Sequence, residues 1–142
     1  LRPPRREGHQ MNARISRLNP SSLPDTSAIG YAQISVAQPG RMAFVSGQVA
    51  SAEAVATGFE AQVTDVMHKA DAALDALQAT PEDIVMARIY VVDLDDVRLG
   101  SCVAQFNAVC NGATPSLTGV GVAALAGPGL LVEMKFQVLL RD

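Results

Sequence analysis

Nine residues, Ile84-Val85-Met86-Ala87-Arg88-Ile89-Tyr90-Val91-Val92, restrict the possible folds of this 142-residue chain more than any other stretch. They are rich in β-branched and aromatic side chains and follow the stop-and-turn signal Thr80-Pro81-Glu82-Asp83, so they read as a strand. Successive strand side chains point to opposite faces. One face therefore carries Val85, Ala87, Ile89 and Val91, and the other carries Met86, Arg88, Tyr90 and Val92. Both faces hold apolar residues, so the sheet containing this strand needs cover on both sides.

Flanking segments supply cover for one side. Thr57-Gly58-Phe59-Glu60 reads as a capping box opening a helix to about Gln78, with Val63, Val66, Met67, Ala70, Ala73, Leu74 and Leu77 as its apolar stripe. Asp93 reads as the cap of a second helix to about Cys110, lined inside by Leu99, Cys102, Val103, Phe106 and Val109. Upstream, Arg17 to Gly30 reads as a lead-in loop. Tyr31–Ala37 and Met42–Val49 flank Pro39-Gly40 and read as a hairpin, with a bulge or kink at Ser46-Gly47-Gln48. Downstream, Asn111-Gly112 ends the second helix, Ala113 to Val122 forms a strand, and a Gly127-Pro128-Gly129 turn leads into a last strand, Leu130 to Leu140. The order is β-β-α-β-α-β-β, an α+β fold with two helices on one face of the sheet. Cover for the other face is most simply a second copy of the chain, which predicts a symmetric homo-oligomer.

Composition sets the function classes that remain. Hydrophobic residues make up 49% and charged residues 18%, which suits one globular domain, placed at residues 11–142. A net charge of -3 gives no general attraction for phosphate backbones, so no nucleic-acid partner is expected. No run approaches the length of a membrane span. Residues 1–10 begin without Met, ahead of Met11, and lack an apolar signal core; they read as a disordered vector-derived or upstream-start extension. Cys102 and Cys110 fall in one helix, roughly 12 Å apart along its axis, too far for a disulfide. Free thiols fit a reducing compartment, so the expected location is cytoplasmic.

Chemistry-bearing residues are few. His9 lies in the extension and His68 on a solvated helix face, so no metal ligand set exists; no cofactor fingerprint is present either. Ser46 has no patterned His or Asp beside it, which argues against a serine hydrolase. Glu133 interrupts the apolar last strand on the face away from the helices, with the Gly119/Gly121 face among its expected neighbours. It reads either as a carboxylate that holds or activates water, or as an ion-pair partner of Lys135, Arg88 or a rim cation. Gly119 and Gly121 share one strand face, which marks either a pocket floor or a tight contact between layers.

Several short segments in order, Ile29-Gly30-Tyr31, Phe44-Val45-Ser46-Gly47-Gln48-Val49, Glu82-Asp83-Ile84-Val85, Tyr90-Val91-Val92-Asp93-Leu94, Ala113-Thr114-Pro115 and Leu131-Val132-Glu133-Met134, resemble the Rid family, also called YjgF-like or L-PSP-like. The resemblance runs from about Ser21 to Arg141 and implies a chorismate-mutase-like fold assembled as a homotrimer. Its sheets would form an inner barrel, with three small-molecule clefts between subunits. In imine deaminases of the family an Arg after the Pro binds the substrate carboxylate, a Glu positions water, and a Tyr and a Ser-Gly pair line the cleft. Carried over, these roles fall on Glu133, if the Gly127-Pro128-Gly129 turn holds one extra residue, on Tyr31, and on Ser46 and Gly47. The usual Pro before Tyr31 is missing.

Leu117 stands at the arginine position, and Gly119 at the position of a family Cys; Thr118 lies between them. A leucine cannot replace a bidentate Arg–carboxylate contact, a loss of about 2–5 kcal/mol of binding. Arg88 is the one interior-strand cation available to compensate. The expectation is a Rid-like homotrimer binding a small, relatively apolar metabolite, with Glu133 as the catalytic candidate for an imine or enamine substrate. Tyr31, Ser46, Gly47, Arg88, Leu117, Thr118 and Gly119 are the expected binding residues. A non-catalytic ligand-binding or regulatory protein is the alternative. RNA cleavage, an old label of the family, is disfavoured by the acidic balance.

Overall fold

A computed structural model describes residues 13–142; the extension expected over residues 1–10 lies outside the described residues. The elements are β1 (Ile15–Leu18), β2 (Ile34–Ala37), β3 (Met42–Val49), α1 (Ala52–Thr57), α2 (Phe59–Ala76), a 3-10 turn (Pro81–Asp83), β4 (Ile84–Val92), α3 (Asp96–Cys110), β5 (Ser116–Val122) and β6 (Val132–Leu139). The main sheet has the order β3-β6-β4-β5, and β1 pairs with β2 in a separate ribbon. β6 runs antiparallel to both β3 and β4, whereas β5 runs parallel to β4 after the crossover through α3.

The core lies between the sheet and the helices. Val63, Val66, Met67, Ala70 and Leu74 of α2 and Cys102, Phe106 and Cys110 of α3 pack on Ala87, Ile89 and Val91 of β4 and Val132, Met134, Phe136 and Val138 of β6. Each large buried side chain contributes about 1.5–3 kcal/mol. The α+β arrangement with both long helices on one face is therefore as the patterning predicts.

Several local expectations are corrected. β2 and β3 do not form a hairpin. β2 pairs with β1, while β3 pairs with β6 through apolar partners such as Val45↔Phe136 and Ala43↔Val138. β1 runs into the start of the loop expected over Arg17 to Gly30, and its Ile15, just ahead of that loop, is buried. Thr57 ends α1 and donates its hydroxyl to the Glu53 carbonyl (2.9 Å), so it is not free to cap; Gly58 is the N-cap of α2 instead. The cap of α3 is Asp95, whose carboxylate accepts from Arg98 N–H (2.8 Å), not Asp93, which adopts φ 51°. The ladder between β4 and β6 shifts register between Ile84 and Met86. Ile84 consequently takes the core place expected for Val85, which is only half-buried.

The ribbon is fixed by one buried carboxylate. Asp83 accepts from Arg14 (2.6 Å), from Arg141 (3.0 Å) and from the Thr80 N–H (2.9 Å). Burial pushes the Asp83 carboxyl up, but the Thr80 N–H and the two guanidinium groups outweigh it and hold the group below the usual carboxylate range. Arg14 also donates to the Leu139 and Leu140 carbonyls, which ties β1 to the end of β6.

Candidate functional site

The face without helices carries a groove of about 420 Å³ lined by Phe44, Ser46, Gly47, Met86, Arg88, Lys135 and Gln137 among others. Ser46 and Gly47 reach it through a bulge: the β3–β6 ladder shifts register between Val45 and Gln48. A Cβ on Gly47 would collide with the Glu133 side chain at Cδ and Oε2, so that side chain keeps its place only while residue 47 is glycine. The carboxylate of Glu133 thus lies against bare backbone. Glu133 is half-buried and makes no hydrogen bond or ion pair among the described residues. Arg88 faces Lys135 across β6 and Thr118 across β5. The Lys135 ammonium sits 5.9 Å from the centre of the Tyr90 ring. Neither cation forms an ion pair among the described residues, so the expected pairing of Glu133 with Lys135 or Arg88 does not occur.

A second cavity, about 310 Å³, opens on the helix side between β4, β5 and α3; Tyr31, Leu117 and Gly119 line it with Ile29, Leu94, Leu99, Cys102 and Val103. Tyr31 is carried there by an ordered loop. The Thr26 hydroxyl donates to the Tyr31 carbonyl (2.8 Å), and the Asn107 amide on α3 donates to the Ile29 carbonyl (2.6 Å). Gly30 lies directly on the Asn107 amide at φ 115°, a place where neither a side chain nor an ordinary backbone fits. The two β5 glycines differ in role. A Cβ on Gly121 would meet Leu94 Cβ at 3.2 Å, a tight contact between layers, whereas one on Gly119 would find Leu99 only at 3.8 Å. Gly119 is pocket floor and Gly121 is close packing. Burial pushes the Cys102 thiol up to about 11 and Cys110 up to about 12, so both stay protonated at neutral pH and neither is a nucleophile.

The sequence model of the family described as Endoribonuclease L-PSP matches residues 23–139, most of the chain. The chain belongs to the L-PSP (Rid/YjgF) family. Among solved structures it is similar to the Rid-family protein YyfB of Yersinia pestis, itself described as of unknown function, with 29% identity, TM-score 0.80, and coverage of 89% of this chain and 99% of that one. A YjgF-family member from Mycobacterium tuberculosis shows 30% identity and TM-score 0.60 over 81% of this chain and 91% of that one. One from Neisseria meningitidis shows 26% identity and TM-score 0.60 over 79% and 88%. No curated protein matches the chain in sequence.

Within this L-PSP family chain the expected site residues divide into two groups. Glu133, Ser46, Gly47, Arg88 and Thr118 belong to the open face, and Tyr31, Leu117 and Gly119 to the helix side. The expectation that Glu133 neighbours the Gly119/Gly121 face is overturned. In the ladder Gly119 pairs with Ile89 and Glu133 with Tyr90, consecutive residues that point to opposite faces. Sequence reasoning misses Asn107, Thr26 and the exposed Phe44 (71%). Of these only Phe44 leaves a trace, as an aromatic alternating against the core position Val45. Among the described residues no cluster of His, Cys, Asp and Glu forms a metal site, and no helix is long and apolar enough to cross a membrane.

Proposed function

We propose that this L-PSP family protein acts as a homotrimer that binds a small, largely apolar metabolite in clefts between subunits and hydrolyses an imine, enamine or similar carbon. One observation carries the reading: residues expected to share one site fall on opposite faces of one chain's sheet. A neighbouring copy docked on the open face brings the Tyr31–Leu117 pocket of one subunit beside Glu133 of the next. Glu133, unpaired and half-buried, accepts a proton from water as its oxygen bonds to the C=N carbon. The C=N π electrons move to nitrogen, which takes that proton back from the Glu133 carboxyl to give a carbinolamine. The carbinolamine hydroxyl then gives its proton to Glu133, which passes it to the nitrogen as the C–N bond breaks, releasing amine or ammonia and leaving a carbonyl. With Leu117 in the pocket, 2-imino acids lack a cation there and are poor substrates.

Turnover of freshly generated 2-iminopropanoate tests this directly. The expected rate is at or near background; robust turnover that Glu133→Gln abolishes would overturn the weight given to Leu117. Light scattering should give a trimer, and a monomer at micromolar concentration would remove both assembly and cleft. A binding or regulatory role without chemistry is favoured by the helix-side pocket, whose lining is almost wholly apolar. It predicts saturable ligand binding with no turnover, unchanged in Glu133→Gln. RNA cleavage draws no support from a chain of net charge -3.

A further inference from the structure

The open face carries two like charges that have no carboxylate partner among the described residues. Arg88 on β4 and Lys135 on β6 are direct cross-strand partners, which sets their Cβ atoms about 4.5–5.5 Å apart. Like charges in that arrangement repel. Both side chains are exposed, and both line a groove of about 420 Å³. Glu133 is the nearest acid along the sheet, two residues from Lys135, and it reaches neither cation within ion-pair distance. The Tyr90 ring face, at 5.9 Å from the Lys135 ammonium, offsets only a fraction of the charge. The Ser46 hydroxyl and the Gln137 amide line the same groove and add uncharged donors.

We propose that this groove is an oxyanion site, in which Arg88 and Lys135 grip the carboxylate or phosphate of a small-molecule ligand. Arg88 presents a planar fork that takes two oxygens, and Lys135 adds a point charge from the neighbouring strand. The site stands without the chemistry proposed for Glu133; that it orients a ligand towards Glu133 rests on that reading. Two residues along a strand span about 6.5–7 Å, so an oxyanion on the pair leaves several bonds before the carbon facing Glu133. A 2-imino acid, whose carboxylate is bonded directly to the reacting carbon, does not fit that spacing. The class that fits carries its charged group remote from the reacting carbon.

Calorimetric titration of the intact protein at low ionic strength, with inorganic phosphate and succinate as probes, tests the site. Saturable uptake by the wild type is expected, with Arg88→Gln and Lys135→Gln each weakening it at least tenfold. Arg88→Lys, which keeps the charge but not the fork, should fall between wild type and Arg88→Gln, and Arg41→Gln, a cation outside the groove lining, should bind like wild type. Preference for phosphate assigns a phosphate head group, and preference for succinate a carboxylate. Glu133→Gln should bind the probe as well as wild type or better, since a repelling charge is removed. Loss of turnover with retained uptake therefore separates Glu133 chemistry from the oxyanion site. Absence of saturable uptake overturns the proposal, as does an Arg41→Gln loss equal to that of Arg88→Gln. Dissociation of the oligomer in Arg88→Gln, with no uptake by wild type, assigns the pair to a subunit contact and also overturns it.

Discussion

The helix-covered face of the sheet and the open face are built from alternate residues of the same strands, yet their chemistry is opposite. On the covered face Ala87, Ile89, Met134 and Phe136 are buried among helix side chains. One residue away, Arg88, Lys135 and Glu133 share the open face with the exposed aromatic Phe44. A period of two thus lets one set of strands specify a core and, independently, a charged and partly exposed surface. The lesson extends to the candidate site. Neighbours in sequence, such as Leu117 and Thr118, lie on opposite faces of the sheet, so proximity along the chain says little about shared chemistry.

Substitutions on the two faces should separate them most sharply. Phe136→Ala should cost about 3–5 kcal/mol, because it empties a wholly buried position. Phe44→Ala, at 71% exposure, should stay within about 0.5 kcal/mol in the isolated chain and weaken self-association instead. Urea denaturation read beside light scattering checks both; equal destabilisation would break the distinction between faces.

Next in size is Asp83→Asn, expected to cost about 2–3 kcal/mol by stripping Arg14 and Arg141 of their shared carboxylate. The folded Asp83 carboxyl is held below its unfolded value, so its contribution is present above the unfolded carboxylate range near pH 4 and fades as pH falls below it. Melting curves from pH 7 to pH 3 should show the wild type losing more stability than Asp83→Asn. Parallel losses would assign acid sensitivity elsewhere.

A smaller stability effect with a larger functional one is expected at Gly47. An added Cβ meets the flexible end of Glu133, which swings aside, so Gly47→Ala should cost no more than about 1 kcal/mol. Any reaction that depends on Glu133 should fall by at least tenfold. Full activity in a folded Gly47→Ala variant would remove Glu133 from the chemistry. The smallest effect concerns the thiols: alkylation of Cys102 and Cys110 should be slow at pH 8, since burial keeps both protonated until about 11 and 12. Rapid labelling of native protein, followed by mass spectrometry, would contradict that.

Much of the covered face was legible in the sequence, because burial imposes a period that helices and strands must obey. The stripe from Val63 to Leu74 and the alternation from Val132 to Val138 are read directly. Partner choice was not legible. Tyr31–Ala37 and Met42–Val49 flank a Pro-Gly turn as a hairpin would, but alternation names faces and not neighbours; β1 and β6 take the two strands. Capping was misread for a related reason. Thr57 and Asp93 are competent caps by type, yet Thr57 bonds back to Glu53 and the α3 cap falls two residues later at Asp95. For the site, residue types pointed to Glu133, Gly47 and Tyr31. Their division between two faces depends on a ladder register that a single sequence does not encode locally.

One consequence of the strand order concerns how the protein is made. β6, the strand joining β3 to β4, is the last of the sheet in sequence. Until it arrives, β3 has no ladder partner in the sheet and β4 has only β5 beside it. Its ladders close long loops, which slows folding and leaves strand edges open to misassembly meanwhile. The finished sheet should therefore form cooperatively and late, and a chain cut before Val132 should expose unpaired strands and aggregate instead of forming a smaller stable fold.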